Sequence, residues 1–287
     1  MRRGAEEEGF PIGAACRALH ISRASYYQWR SGKAGGRVAE NQRIAQLVQE
    51  IHRESPDKGY RRIRDDLDKY YHTPVNDKRT LRICRGPGIQ SVVKHAPHGC
   101  TRAASSPRQL AENVLDRQFY ADRPNEKWLT DVTEFHYYTG TNMRKLYLSA
   151  ILDLCDRRIV SFVIRDTNDA ALVHRTLAQA LEGNPGARPL LHSDRGSAYT
   201  TQIFHDKLAA AGITQSMSRV GKCIDNGPME GFWGILKRER YYGRRFTSRE
   251  QLVKMIQEYI TYYNFHRLQR GLGVRTPMEV HDRLLAA

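Results

Sequence analysis

No run of 18 apolar residues occurs in this 287-residue chain, so no membrane-spanning helix is expected. The opening "MRRGAEEEGF" lacks the apolar core of a signal peptide. Cysteine is scarce: Cys16, Cys84, Cys100, Cys155 and Cys223 are scattered, odd in number, and form no C-x-x-C pair. That pattern indicates neither a disulfide framework nor a zinc site. A reducing, cytoplasmic setting is the expectation. Acid is in deficit, with 31 Asp and Glu against 46 Lys and Arg, a net charge of +15. The basic excess is shared by both halves, so it is not a basic tail. Such a surface suits a polyanion, above all nucleic acid.

The first third of the chain reads as helical. Residues 13–30, "GAACRALHISRASYYQWR", predict two short helices around a turn at "LHIS", with Ser22 as N-cap of the second. That second helix carries Arg23, Tyr26, Tyr27, Trp29 and Arg30, and a helix-turn-helix sets such a helix in the major groove. Arg23 and Tyr26 are its candidate DNA contacts. "KAGGR" (33–37) is a linker. Residues 39–53 then predict an amphipathic helix with Ile44, Leu47, Val48 and Ile51 on one face. "GYRRIRDDLDKYY" (59–71) predicts another, and "VNDKRTLRICR" (75–85) a third, capped by Asn76. On the third, Lys78, Arg82 and Arg85 fall at i, i+4 and i+7 and share a basic face, with Leu81 and Cys84 expected inward. The expected organisation is a helix-turn-helix-like segment (1–36), a second helical DNA-binding module (38–95), a linker (96–118) and an α/β domain (119–287).

In that last domain the pattern changes. "KWLTDVTEFHYY" (127–138), "KLYLSAILDLC" (145–155) and "RIVSFVIR" (158–165) predict an antiparallel meander. A helix (169–183), a strand "PLLHSD", a helix (201–212), a strand "ITQSMS" and a helix (227–240) follow. Ser248 and Gln251 fit a capping box opening a last helix to about His266. Strands first, then alternating helices and strands, give an α/β layered order.

The stretch "HSDRGSAY" (192–199) sets Asp194 between an apolar run and a glycine turn. Taken alone, it is equally well a plain strand end, since Asp and Gly favour turns. Asp131 lies in the first strand, and Glu230 starts the helix that follows the fifth. Neighbouring first and fourth strands would bring Asp131 and Asp194 together. Three carboxylates are the hard oxygen donors Mg²⁺ requires, and a pair of such ions suits phosphoryl transfer. On the last-named helix Met229, Phe232, Trp233 and Leu236 form an apolar face. Glu230, Gly234 and Lys237 line another, where a close-lying phosphodiester would meet a small residue and a point charge.

Together these segments resemble the catalytic, OrfB-type protein of the IS-three family of insertion-sequence transposases, in the DDE, retroviral-integrase-like superfamily. The similarity runs through "ISRASYYQW", "GYRRI", "KRTLRICRGPGI", "DRQFYADRPNEKWLTDVTEF", "HSDRGSAYT", "SMSRVGKCIDNGPMEGFWGILKRE" and "YYNFHRLQRGLGVRTP", most of the chain. The resemblance implies an RNase H-like integrase catalytic domain preceded by small all-α modules. It implies a DNA transposase, a polynucleotidyl transferase that cleaves element ends and transfers strands. Asp131, Asp194 and Glu230 would be ligands of two Mg²⁺ ions, with Mn²⁺ as a substitute. Lys237 would position the DNA end, and Lys222 and Asn226 would touch DNA. The implied partners are terminal inverted repeats, target DNA, further copies of the chain on DNA, and an OrfA protein or an OrfA–OrfB fusion. The implied location is the cytoplasmic nucleoid. Two alternatives are a catalytically inert DNA-binding regulator and a nuclease without joining activity. The intact acids argue against the first, and the helical modules against the second. This chain departs from the family in having Gly227, Gly231 and Trp233 where Ala, Ser and Phe are frequent. Each helix glycine costs roughly 1 kcal/mol relative to alanine.

Overall fold

The computed structural model describes residues 11–31, 36–93 and 110–286. The chain divides into two compact units, Met1–Ser91 and Val92–Ala287. The first is helical. Its described residues begin with α1 (Ile12–Ala18) and α2 (Arg23–Arg30). Ser22 caps α2 by accepting the Ser25 N–H at 3.0 Å. Next come α3 (Gly36–Glu54), α4 (Tyr60–Lys69) and α5 (Asp77–Arg85), packed around Ile44, Val48, Ile51, Ile63, Leu67, Val75, Ile83 and Cys84. Asn76 caps α5, accepting from the Arg79 N–H at 2.8 Å. One expectation changes here. Leu81 is only half-buried, while Thr80, Ile83 and Cys84 point inward. The Arg79 guanidinium ties α5 to Asn41 and Glu40 of α3, which sets the rotation of the helix.

The second unit is built on one five-stranded sheet. β1 (Lys127–Thr139), β2 (Asn142–Asp153) and β3 (Ile159–Arg165) form the antiparallel meander, the first turn passing through Gly140 at φ 62°. α6 (Ala170–Gly183) leads to β4 (Leu190–Ser193), and α7 (Gln202–Ala210) to β5 (Thr214–Met217). The spatial order is β3-β2-β1-β4-β5, with β4 parallel to both β1 and β5. Alternation along each strand fills two cores. Leu129, Phe135, Leu148, Ala150 and Leu152 face one side, against α8 (Gly227–Leu236) and α9 (Arg249–Phe265). Trp128, Ile151 and Leu191 face the other, against Val173 and Leu177 of α6 and Phe204 and Leu208 of α7. This is the RNase H-like arrangement, a mixed sheet covered on both faces. α10 (Pro277–Leu285) closes the unit, and His281 on it meets the buried Asp156 at 2.7 Å.

Several details differ from the sequence reading. β4 stops at Ser193, so Asp194 is the first residue past the strand rather than its last. The helix expected over 227–240 is α-helical only to Leu236, and Lys237–Tyr241 form a π turn. Gln251 reaches back to Thr247, not to the backbone of Ser248, so the cap of α9 is half of a capping box. Of the expected linker, residues 96–109 lie outside the described residues. Residues 112–117 are bound to the sheet. The Met217 N–H donates to Glu112 O at 3.2 Å, the Leu115 N–H to Ser216 Oγ at 3.1 Å, and Leu115 is buried. This segment covers the otherwise open edge of β5.

Candidate active site

Pairing of β1 with β4 sets Leu129 opposite His192, so both strands run toward the same end of the sheet. Asp131 lies two residues further along β1, and Asp194 two residues beyond His192. Asp131 is half-buried, with one hydrogen bond on each oxygen: Oδ1 accepts the Val132 N–H at 2.8 Å, and Oδ2 accepts the Trp233 indole N–H at 3.0 Å. Burial first, then the charges of Asp194 and Glu230, push its carboxyl up to about 7 against those two donors. Asp194 is exposed. Its Oδ1 accepts the Gly196 N–H at 2.9 Å, and a Cβ at position 196 would stand 3.0 Å from that oxygen. Glycine is therefore what lets the turn close on the carboxylate. The surrounding protein mass raises the Asp194 carboxyl, and the Gly196 N–H opposes it.

Glu230 is exposed in the first turn of α8, whose N-terminus follows a 3₁₀ turn (Cys223–Asn226). Desolvation and then the Asp194 charge raise it as well. The Asp194 charge thus reaches both other carboxyls, and that of Glu230 reaches Asp131. Among the described residues no three His, Cys, Asp or Glu side chains converge closely enough to hold one ion together.

Lys237 opens the π turn. Its Nζ lies 5.1 Å from the centroid of the Phe135 ring, and desolvation lowers it while Asp131 and Glu134 act to raise it. A cation held over an aromatic face in the field of Asp131 is half-buried, not waving in solvent. Gly234 does not leave bare backbone: the Arg238 guanidinium lies across it.

The end of the sheet is held by polar contacts whose partners the sequence did not announce. Buried His192 joins β4 to β5, with Nδ1 2.8 Å from Ser216 Oγ and Nε2 3.0 Å from Ser218 Oγ. Burial pushes it down to about 4, so it is a neutral structural imidazole. Arg195 Nε donates to Ser218 O at 2.7 Å, and the Tyr199 hydroxyl lies 3.3 Å from Thr130 Oγ1. Asp225 is buried and gathers Arg117, Arg219 and Asn113. Only the pairing of residues far apart in the chain could have revealed it. Trp233 was legible as an apolar position and as a departure from the family's Phe, and its bond was not, although a buried indole N–H usually finds an acceptor.

The residues expected to touch DNA divide. Lys78, Arg82 and Arg85 are exposed together on α5, and Lys222 is exposed before the 3₁₀ turn. The Arg23 guanidinium lies against Gly13 of α1, and half-buried Tyr26 packs on Tyr27 and Trp29. Asn226 is a correction. It is buried, and its Nδ2 donates to Thr130 O at 3.2 Å, because the 3₁₀ turn is stitched to β1 there. It serves the fold rather than a DNA surface.

An integrase core domain family matches residues 121–223, a second integrase core domain family matches residues 211–277, and an HTH-like domain family matches residues 39–97. The chain is 35% identical over 276 residues to "Putative transposase InsK for insertion sequence element IS150" of Escherichia coli (strain K12), covering 96% of this chain and 94% of that protein. It is 29% identical over 291 residues to "Transposase InsF for insertion sequence IS3A" of Escherichia coli (strain K12), covering 96% of each. Among solved structures it is similar to a chain of the simian T-cell lymphotropic virus intasome in complex with PP2A regulatory subunit B56 gamma. That similarity has a TM-score of 0.49 and 19% identity, over 83% of this chain and 74% of that one. The chain belongs to the insertion-sequence transposases of the IS-three family, OrfB type, with an integrase core behind an HTH-like region.

Proposed function

We propose that this transposase cleaves the ends of an insertion sequence and joins them to target DNA, with Asp131, Asp194 and Glu230 as its catalytic carboxylates. The observation that carries the reading is electrostatic. Of three acids delivered by β1, the end of β4 and the first turn of α8, Asp194 raises the protonation of both others, and Glu230 adds to that of Asp131. Such repulsion is relieved by positive charge. The donor set fits divalent Mg²⁺, or Mn²⁺ in its place, because it is all carboxylate oxygen, and a pair of such ions suits phosphoryl transfer. When bound, such a pair activates an attacking oxygen and stabilises a leaving one.

The protein's own part is positioning and charge. Val132 and Trp233 fix the Asp131 carboxylate, and Gly196 fixes Asp194. Lys237, kept beside Asp131 by the Phe135 ring, offers its ammonium to a phosphate that enters the site. Lys222 and the basic face of α5 contribute phosphate contacts, and α2 contacts at the element ends. Further copies of the chain, and an upstream OrfA part, complete the assembly on DNA in the nucleoid.

The test is a cleavage and joining assay on labelled oligonucleotides from the flanking repeats, with Mg²⁺ or Mn²⁺. The reading expects nicked and joined products. Nicking without joining identifies a nuclease, and binding to ends with neither product identifies an inert regulator.

A further inference from the structure

Two consecutive β1 residues are bonded to the segment that carries Glu230. Thr130 O accepts from Asn226 Nδ2 at 3.2 Å, and Asp131 Oδ2 accepts from Trp233 Nε1 at 3.0 Å. Glu230 lies between these two attachment points, four residues after one and three before the other. Trp233 is buried on the face of α8 that packs on the sheet, and its ring is tilted against Phe232 at 5.0 Å. A phenylalanine there would supply the packing but no donor. The indole N–H can only donate, and it donates to a carboxylate.

We propose that Trp233 is a positioning residue for metal binding: its indole N–H fixes the rotation of the Asp131 carboxylate and the distance from Asp131 to Glu230. The proposal rests on the reading of Asp131 as a metal-binding carboxylate. Two donors, Val132 N–H and Trp233 Nε1–H, take one lone pair on each Asp131 oxygen. A carboxylate has about four such sites, so the two that remain point in a set direction. Hydrogen-bond partners that orient a ligand typically change metal affinity 10–100-fold. Because the same helix carries Glu230, the bond also holds α8 against β1 at the level of the site.

The experiment is a Mn²⁺ titration of the full chain, following free ion by electron paramagnetic resonance, for the unsubstituted protein, Trp233→Phe and Asp131→Asn. Trp233→Phe is expected to bind about 10-fold more weakly while remaining folded at the temperature of the titration, with a melting temperature only modestly below that of the parent. Asp131→Asn is expected to lose most binding. Undiminished affinity in Trp233→Phe beside a loss in Asp131→Asn overturns the proposal and leaves the metal site standing. Undiminished affinity in Asp131→Asn overturns the metal site itself, and the proposal with it. A second measurement needs no variant at position 233. The chain has three tryptophans, and Trp128 donates instead to Asp153 at 3.3 Å. Mg²⁺ is expected to shift the Trp233 indole N–H resonance and leave those of Trp29 and Trp128 in place. A Trp233 resonance unmoved at saturating Mg²⁺ contradicts the proposal.

Discussion

Arg117 Nε donates to Asp225 Oδ1 at 2.7 Å, joining residues 108 positions apart. Arg219 adds a bond to each oxygen of the same carboxylate, and Asn113 adds a fourth donor. One buried acid therefore holds the segment before β1, the end of β5 and the 3₁₀ turn that leads to Glu230.

That cluster sets a pH dependence. Arg219, with Arg117 behind it, holds the Asp225 carboxyl well below the usual carboxylate range. Its stabilisation is fully present above the unfolded value of about 4 and is lost as pH falls toward the depressed folded value. Asp225→Asn is expected to cost about 2 kcal/mol at pH 7, since both arginines are half-exposed and screened. Urea unfolding at pH 7 and pH 3 checks this: the gap between parent and variant narrows at the lower pH. A gap independent of pH contradicts the role given to Asp225.

The π turn depends on Glu239. Its carboxylate takes the Arg267 guanidinium at 2.8 Å and the Tyr259 hydroxyl at 3.0 Å, and the ion pair is 7% and 12% exposed. Glu239→Ala leaves a buried arginine without its partner and is expected to cost about 3–5 kcal/mol. It should also disturb Lys237, two residues away. Equilibrium denaturation measures the first effect, and a midpoint unchanged from the parent rules it out.

Lys78, Arg82 and Arg85 stand exposed on one face of α5. If each meets a phosphate, Arg82→Ala should reduce the slope of log K against log salt by about 0.9. Fluorescence anisotropy with duplex DNA at several salt concentrations reads that slope. An unaltered slope removes Arg82 from the interface.

Much of the second unit was readable in the sequence because its strands alternate and its helices are amphipathic. Asp131, Asp194 and Glu230 were readable as candidates because neighbouring first and fourth strands and a first helical turn could bring them to one end of such a sheet. The π turn was not readable, since the apolar spacing of a helix continues through Lys237 without a breaker. Asn226 was misread because a polar residue beside a lysine suggests surface, while its partner is a carbonyl of β1 far away in sequence. The Asp225 cluster and the Trp233 bond share that cause: each joins residues about a hundred positions apart, and periodicity carries no information at that range.

The helix glycines give a simple check on α8. A Cβ at position 231 meets nothing within 4 Å, whereas one at position 234 meets the Arg238 guanidinium at 2.9 Å. Gly231→Ala is therefore expected to raise stability by roughly 0.5–1 kcal/mol, the helix preference of alanine. Gly234→Ala should gain less, because Arg238 must move. Paired thermal melts compare the two, and an equal gain at both positions contradicts the packing described for Arg238.

The most direct measurement is strand transfer by Asp194→Asn. The parent chain, alone or fused to its upstream partner, is mixed with labelled terminal-repeat ends, target DNA and Mg²⁺ or Mn²⁺. Joined product from the parent, and none from a variant that still binds the ends, is the result expected if Asp194 is a catalytic carboxylate. Metal-dependent joining that persists in Asp194→Asn contradicts the account at its centre.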